Sequence, residues 1–129
     1  MTNQSSAVNL AEKFGLFQQR WTPKIVAASN GQLVKIAKFE GEFVWHAHAT
    51  EDELFLVVKG AVDIWLREDG AERCVSLSEG ELLVVPKGVE HRPIAANEAH
   101  VVMIEPASTK HTGDTQSALT IEISDQELI

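Results

Sequence analysis

Three histidines and one glutamate stand where they can meet at a single point. His46 and His48 are separated by one residue. On an extended strand such neighbours share a face, with Cα atoms roughly 6.5–7 Å apart, so both imidazoles can project together. Glu53 lies just beyond, across a short polar turn, and an antiparallel return would bring it beside the pair. His91 follows Pro86-Lys87-Gly88, a tight turn that would aim the next strand. Three neutral imidazole nitrogens and a carboxylate are a good donor set for one divalent first-row transition metal per chain, and Fe, Mn, Ni and Zn all accept it. An octahedral ion would keep two positions open for water, oxygen or a chelating substrate. Because imidazole ligates only when neutral, such a metal should be lost as the pH falls toward the histidine range.

The other ionisable groups near these residues read as ordinary. Glu51 competes with Glu53, but Glu53 opens the apolar run Leu54 to Val58, whereas Glu51 and Asp52 read as solvated turn residues. His100 reads first as a strand-end histidine at the surface, with a place in the cavity as the alternative. His111 falls in a polar loop and is expected to be solvated. Cys74 has only Arg73 as a basic neighbour and reads as a buried small hydrophobe.

These side chains must be held by something, and the chain offers mainly short strands. The first seven residues are polar and expected to be loosely held. Asn9 can cap one or two helical turns ending at Gly15. Lys24 to Ala28 and Gln32 to Phe39 flank Asn30-Gly31, a strong hairpin signal because both residues tolerate positive φ. Further strands are expected at Phe43 to His48, Glu53 to Lys59, Ala61 to Arg67, Glu72 to Leu77, Leu82 to Val85, His91 to Ala95, His100 to Glu105 and Leu119 to Ile123. Asp69-Gly70 is a second hairpin turn. Strands at intervals of about 8–12 residues with turn signals between them indicate an all-β sandwich or barrel. With no internal repeat or long linker, residues 1–129 are expected to form one domain around a barrel core at about 32–105.

Two stretches resemble the cupins. The first reads Gly41-Glu42-Phe43-Val44-Trp45-His46-Ala47-His48, then Glu53, then Gly60; the second reads Gly80, then Pro86-Lys87-Gly88, then His91. They are separated by 19 residues, Ala61 to Glu79, a length that suits small single-domain members. The resemblance implies an antiparallel jelly-roll β-barrel with His46, His48, Glu53 and His91 as metal ligands. The sequence departs from the pattern in three ways. One fewer residue separates Gly41 from His46. The Asn that usually ends the second motif is replaced by Ala95. The chain has no tyrosine, and Phe55 lies where some cupin lyases carry a tyrosine base, so that chemistry is disfavoured.

Alternation fixes the expected lining. Val44, Phe55, Val57, Val62, Ile64, Leu66, Val102 and Ile104 should point inward, with Glu42 and His100 as the ionisable exceptions. Of these, Phe55, Val57, Val62, Ile64, His100 and Val102 are the candidate contacts for a bound small molecule. Leu54, Leu56 and Val58, with Phe43, Trp45 and Ala47, would then point outward. An apolar row of that kind needs a cover. A second subunit is the simplest one, giving a homodimer, and the N-terminal segment is the alternative.

The net charge of −8 argues against general attraction to nucleic acid or an anionic membrane. The hydrophobic fraction of 44% with 23% charged residues suits a folded protein. The longest apolar run is far too short to span a bilayer, and the N-terminus carries no secretory pattern. A single cysteine fits a reducing compartment, so a cytoplasmic protein is expected. Two functions fit: a metal-dependent enzyme on a small molecule, of oxygenase, isomerase or decarboxylase type, or a module that binds or senses a ligand without turnover. Ionisable lining beyond the metal ligands would favour the enzyme. The basic residues near the motifs, Lys59, Arg67 and Lys87, offer little for a phosphosugar.

Overall fold

The computed structural model describes residues 5–129. Of the loosely held N-terminus, residues 1–4 lie outside the described residues, and Ser5, Ser6 and Ala7 are exposed. Asn9 caps the helix α1 (Leu10–Phe14), its side-chain oxygen accepting from the Glu12 N–H at 3.0 Å. Seven strands follow: β1 (Lys24–Ser29), β2 (Gln32–Glu42), β3 (Glu53–Lys59), β4 (Val62–Glu68), β5 (Ala71–Leu77), β6 (Leu82–Val85) and β7 (Glu90–Pro106). A 3-10 turn (Ile123–Asp125) and the short β8 (Glu127–Leu128) end the chain. Both expected hairpin turns form, with φ of 51° at Asn30 and 78° at Gly31, and 51° at Asp69 and 76° at Gly70.

The fold is an antiparallel jelly roll organised on β7. Residues Glu90 to Ile94 of β7 pair with β4, whose other neighbour is β5. Residues Ala99 to Pro106 pair with β2, and most of them also pair with β3 on the other side. β6 adds to β3, β1 to β2, and β8 to β1 in parallel. No helix among the described residues is long and apolar enough to cross a membrane.

Two apolar clusters fill the two sides of the sheet. The inner one holds Trp21, Phe39, Phe43, Phe55, Val57, Val62, Ile64, Leu66, Val101 and Met103. The outer one holds Phe14, Phe17, Val26, Ile36 and Val102, with Leu56, Val58, Ile104 and Ile129 packed against it. So the chain's own N-terminal segment covers Leu56 and Val58, as the alternative reading required.

Several local expectations are corrected. Residues 43–48 do not form a strand; only His46 bridges His91, through a pair of backbone hydrogen bonds of 3.0 and 2.8 Å. Strict alternation is lost there, and Phe43 turns into the inner cluster. The two strands expected at 91–95 and 100–105 are one, β7. The strand expected at 119–123 does not form, and the late strand is β8. Val102 and Ile104 face outward, since Val101, Met103 and Glu105 take the inner face. Cys74 is exposed, because β5 is an edge strand and Cys74 pairs with the outward Trp65. Glu42 is exposed and ion-paired with Arg92 at 2.6 Å.

Candidate metal centre

Four donors converge inside the fold. One ligand atom from each of His46, His48, Glu53 and His91 lies within 4.8 Å of every other, and all four residues are buried. The backbone bridge between His46 and His91 sets two of the rings against each other, with centroids 4.2 Å apart. Glu53 enters at the first residue of β3, fixed by its pairing with Val85. The intervening turn is tied down by Asp52, which accepts the Lys87 N–H at 2.8 Å. Glu51 instead accepts from the Ser108 hydroxyl at the surface.

The orientation of the rings suits a cation. His46 Nδ1 lies 2.9 Å from the Val44 carbonyl and His91 Nδ1 lies 3.0 Å from the Val89 carbonyl. A carbonyl only accepts, so each Nδ1 carries the hydrogen and each Nε2 is left with its lone pair. His91 Nε2 then faces Glu53 Oε1 at 3.2 Å, acceptor against acceptor, unless a proton or a metal ion supplies positive charge between them. His48 Nε2 lies 3.4 Å from the same oxygen, yet neither ring nitrogen of His48 has a hydrogen-bond partner. Buried imidazole nitrogens are seldom left so. The donor set therefore fits a divalent transition ion, with tautomers already fixed for it.

Electrostatics keep the site proton-poor. Burial, helped by His91, lowers the pKa of His46 to about 3. Burial alone would raise the Glu53 carboxyl, but its neighbours Glu105, His48 and His91 outweigh that and hold it well below the usual range. Glu105 moves the other way, pushed well above the usual range by burial and by the charge of Glu53.

The donors border a narrow cavity walled by Trp21, Ala37, Phe39, Phe43, Phe55 and Met103, with Glu105 and His111 as further ionisable lining. The room it leaves for water-sized molecules is about 20 Å³, little more than one water or ion. Trp21 reaches this wall from a backbone at φ 55°, a strained conformation for so bulky a residue. Its N–H bonds to the Lys38 carbonyl and its indole N–H to the Glu40 carbonyl, both at 2.9 Å, which hold it there.

Of the candidate small-molecule contacts, only Phe55 reaches the cavity wall. Val57, Val62 and Ile64 lie deeper in the same inner cluster. Val102 is on the opposite side of the sheet. His100 is there too, stacked on Phe14 with centroids 4.4 Å apart and its Nε2 2.7 Å from Glu98. Three polar residues escaped the sequence reading. Lys35 is fully buried and ion-paired to Glu105 at 2.8 Å, inside the fold. His111, expected in solvent, lines the cavity because the segment after β7 folds back across its mouth.

The Cupin domain family matches residues 32–113. The chain belongs to this family. A cupin-2 domain containing protein from Shewanella frigidimarina NCIMB 400 is 44% identical, over 77% of this chain and 93% of that one, with a TM-score of 0.72. The uncharacterized protein YdbB of Bacillus subtilis (strain 168) is 34% identical over 67 residues, which is 52% of this cupin and only 57% of that relative's length. Hydroquinone 1,2-dioxygenase from Sphingomonas sp. TTNP3, with 4-hydroxybenzoate bound, is similar at a TM-score of 0.69 over 77% of this chain and 31% of that one. At 19% identity this last likeness is one of fold.

Proposed function

We propose that this cupin, acting as one domain, is a metal-dependent enzyme on a small molecule, with a divalent transition metal held by His46, His48, Glu53 and His91. The observation that carries the reading is the convergence of four buried donors within 4.8 Å, with His48 otherwise unpartnered. Such an ion, when bound, supplies Lewis acidity and sites for a chelating substrate or oxygen, as oxygenase, isomerase or decarboxylase chemistry requires. The chain's part is to exclude water with its aromatic wall and to hold His46 neutral. Enzyme is preferred to ligand-binding module because Glu105 and His111 add ionisable groups to the lining. The likeness to a dioxygenase with an aromatic ligand accords with an apolar, aromatic-sized substrate, while the narrow cavity requires its walls to part for entry.

The test is elemental mass spectrometry on tag-free protein beside a His46→Ala/His91→Ala double variant. About one metal per chain, lost in the variant, is expected. No metal in either protein, even after incubation with each ion, overturns the reading. Iron would point to oxygen chemistry, and zinc or nickel to non-redox catalysis.

We place the protein in the cytoplasm, where its exposed thiol Cys74 would stay reduced. We also assign it a homodimer through β3 and β6, where Leu82 and Val84 remain 56% and 45% exposed beside Leu54. Light scattering giving a monomer mass at micromolar concentration would exclude the dimer.

A further inference from the structure

The segment after β7 is built to hold one imidazole over the site. It leaves β7 at Pro106 and crosses the loop that carries His46 and His48. Gly113, at φ +56°, passes directly over the Ala47 carbonyl, where a Cβ would collide. Thr112, fully buried, ties the crossing together through its hydroxyl, 2.6 Å from that of Thr120. Between these anchors His111 enters the cavity, its ring 5.1 Å from that of Phe43.

One hydrogen bond decides what His111 offers. The Ile121 N–H donates to His111 Nδ1 at 2.9 Å. An amide N–H only donates, so Nδ1 is the acceptor and the neutral ring carries its hydrogen on Nε2. This is the reverse of His46 and His91, whose Nδ1 atoms bear the hydrogen. Those two present lone pairs suited to a cation, whereas His111 presents an N–H suited to an anion. Burial holds the ring neutral, with a pKa lowered to about 4, so that hydrogen persists without a full charge.

We infer that His111 is a ligand-positioning residue, donating from Nε2 to an oxygen of a small chelating anion, of catecholate or enolate type, seated against Trp21 and Phe43. This rests on the metal-centre reading above. The anion's oxygens take the open metal positions, and its flat apolar side lies on the stacked Trp21 and Phe43 rings, whose centroids are 4.8 Å apart.

The test uses the cobalt(II)-loaded full chain titrated with 4-nitrocatechol, read by the visible spectrum, with bound cobalt measured in parallel. Loss of a hydrogen bond to a charged oxygen predicts binding about 10- to 100-fold weaker in His111→Ala. His111→Gln, which can accept from Ile121 and donate to the ligand, should recover most of it. Both variants should keep cobalt at the wild-type level. Unchanged probe binding in His111→Ala, or no binding by the loaded wild type, overturns the inference while leaving the metal centre standing. Loss of cobalt from both variants would make His111 a ligand or a structural support, which overturns it too. A wild type that takes up no cobalt fails at the metal centre itself, and the inference falls with it.

Discussion

The two sides of the sheet both bury histidine and lysine, but they treat them differently. On the outer side every such group is matched. Lys38 donates to the Phe17 carbonyl at 2.7 Å and lies over the Phe17 ring, Lys24 meets Glu127 at 3.1 Å, and His100 meets Glu98. On the inner side His48 has no hydrogen-bond partner at either ring nitrogen, and one oxygen of Glu105 has none. Satisfied polar groups under an apolar cover fasten the terminal segments to the sheet. Unsatisfied ones, converging, mark a place meant for something else. The contrast separates stability from binding within one small fold.

The largest effect should come from the outer side and leave the inner one untouched. Phe14 is 3% exposed and packs on Phe17 and His100. Phe14→Ala should cost about 3 kcal/mol or more of unfolding free energy in denaturant titration, with metal per chain unchanged. Metal lost in step with stability would break the comparison.

Glu53→Gln is the converse. Metal affinity should fall by about 100-fold or more, since even indirect supporting partners are worth 10–100-fold. The metal-free variant should unfold no earlier than metal-free wild type, because a buried carboxylate charge has been removed. A competition assay with a chelating dye reads the first, and thermal melting the second.

The smallest effect is set by protons. His111, with a folded pKa of about 4, lies below the 6.5 of an ordinary histidine. The unfolded chain therefore takes up its proton first, and the metal-free fold loses stability as the pH drops from about 6.5 toward 4. The raised carboxyl of Glu105 works in the opposite direction, so the useful quantity is a difference. Between pH 7 and pH 4.5, wild type should lose roughly 2 kcal/mol more than His111→Gln. Equal losses would mean that His111 is not held neutral.

Much of this was legible beforehand, and what was hidden has a common cause. The metal ligands showed through a spacing that chemistry requires, and the hairpins through Asn-Gly and Asp-Gly pairs at positive φ. The facing of β2 and β7 did not show. Both sides of these strands are covered, so polarity does not alternate along them. Lys35, Ala37 and Phe39 go inward while Ile36 and Lys38 go outward, a division hydrophobicity alone cannot make. The same blindness misplaced Val102 and His100 and concealed Glu105. His111 was hidden differently: its polar surroundings read as solvent-facing, and only the crossing of residues 107–121 over the cavity buries it.

The position of β7 in the chain also governs how the protein can come into being. Only β1 with β2, and β4 with β5, are hairpins that can close locally. β2, β3 and β4 each wait for a partner strand whose last residue is Pro106. During synthesis, then, most of the sheet must exist as open strands until nearly the whole chain has emerged. Pairings so distant in sequence place the fold among the slow, milliseconds-to-seconds class. They also leave exposed edges for any passing strand to join. The strand that unites the finished molecule is thus the one whose lateness makes the nascent chain vulnerable.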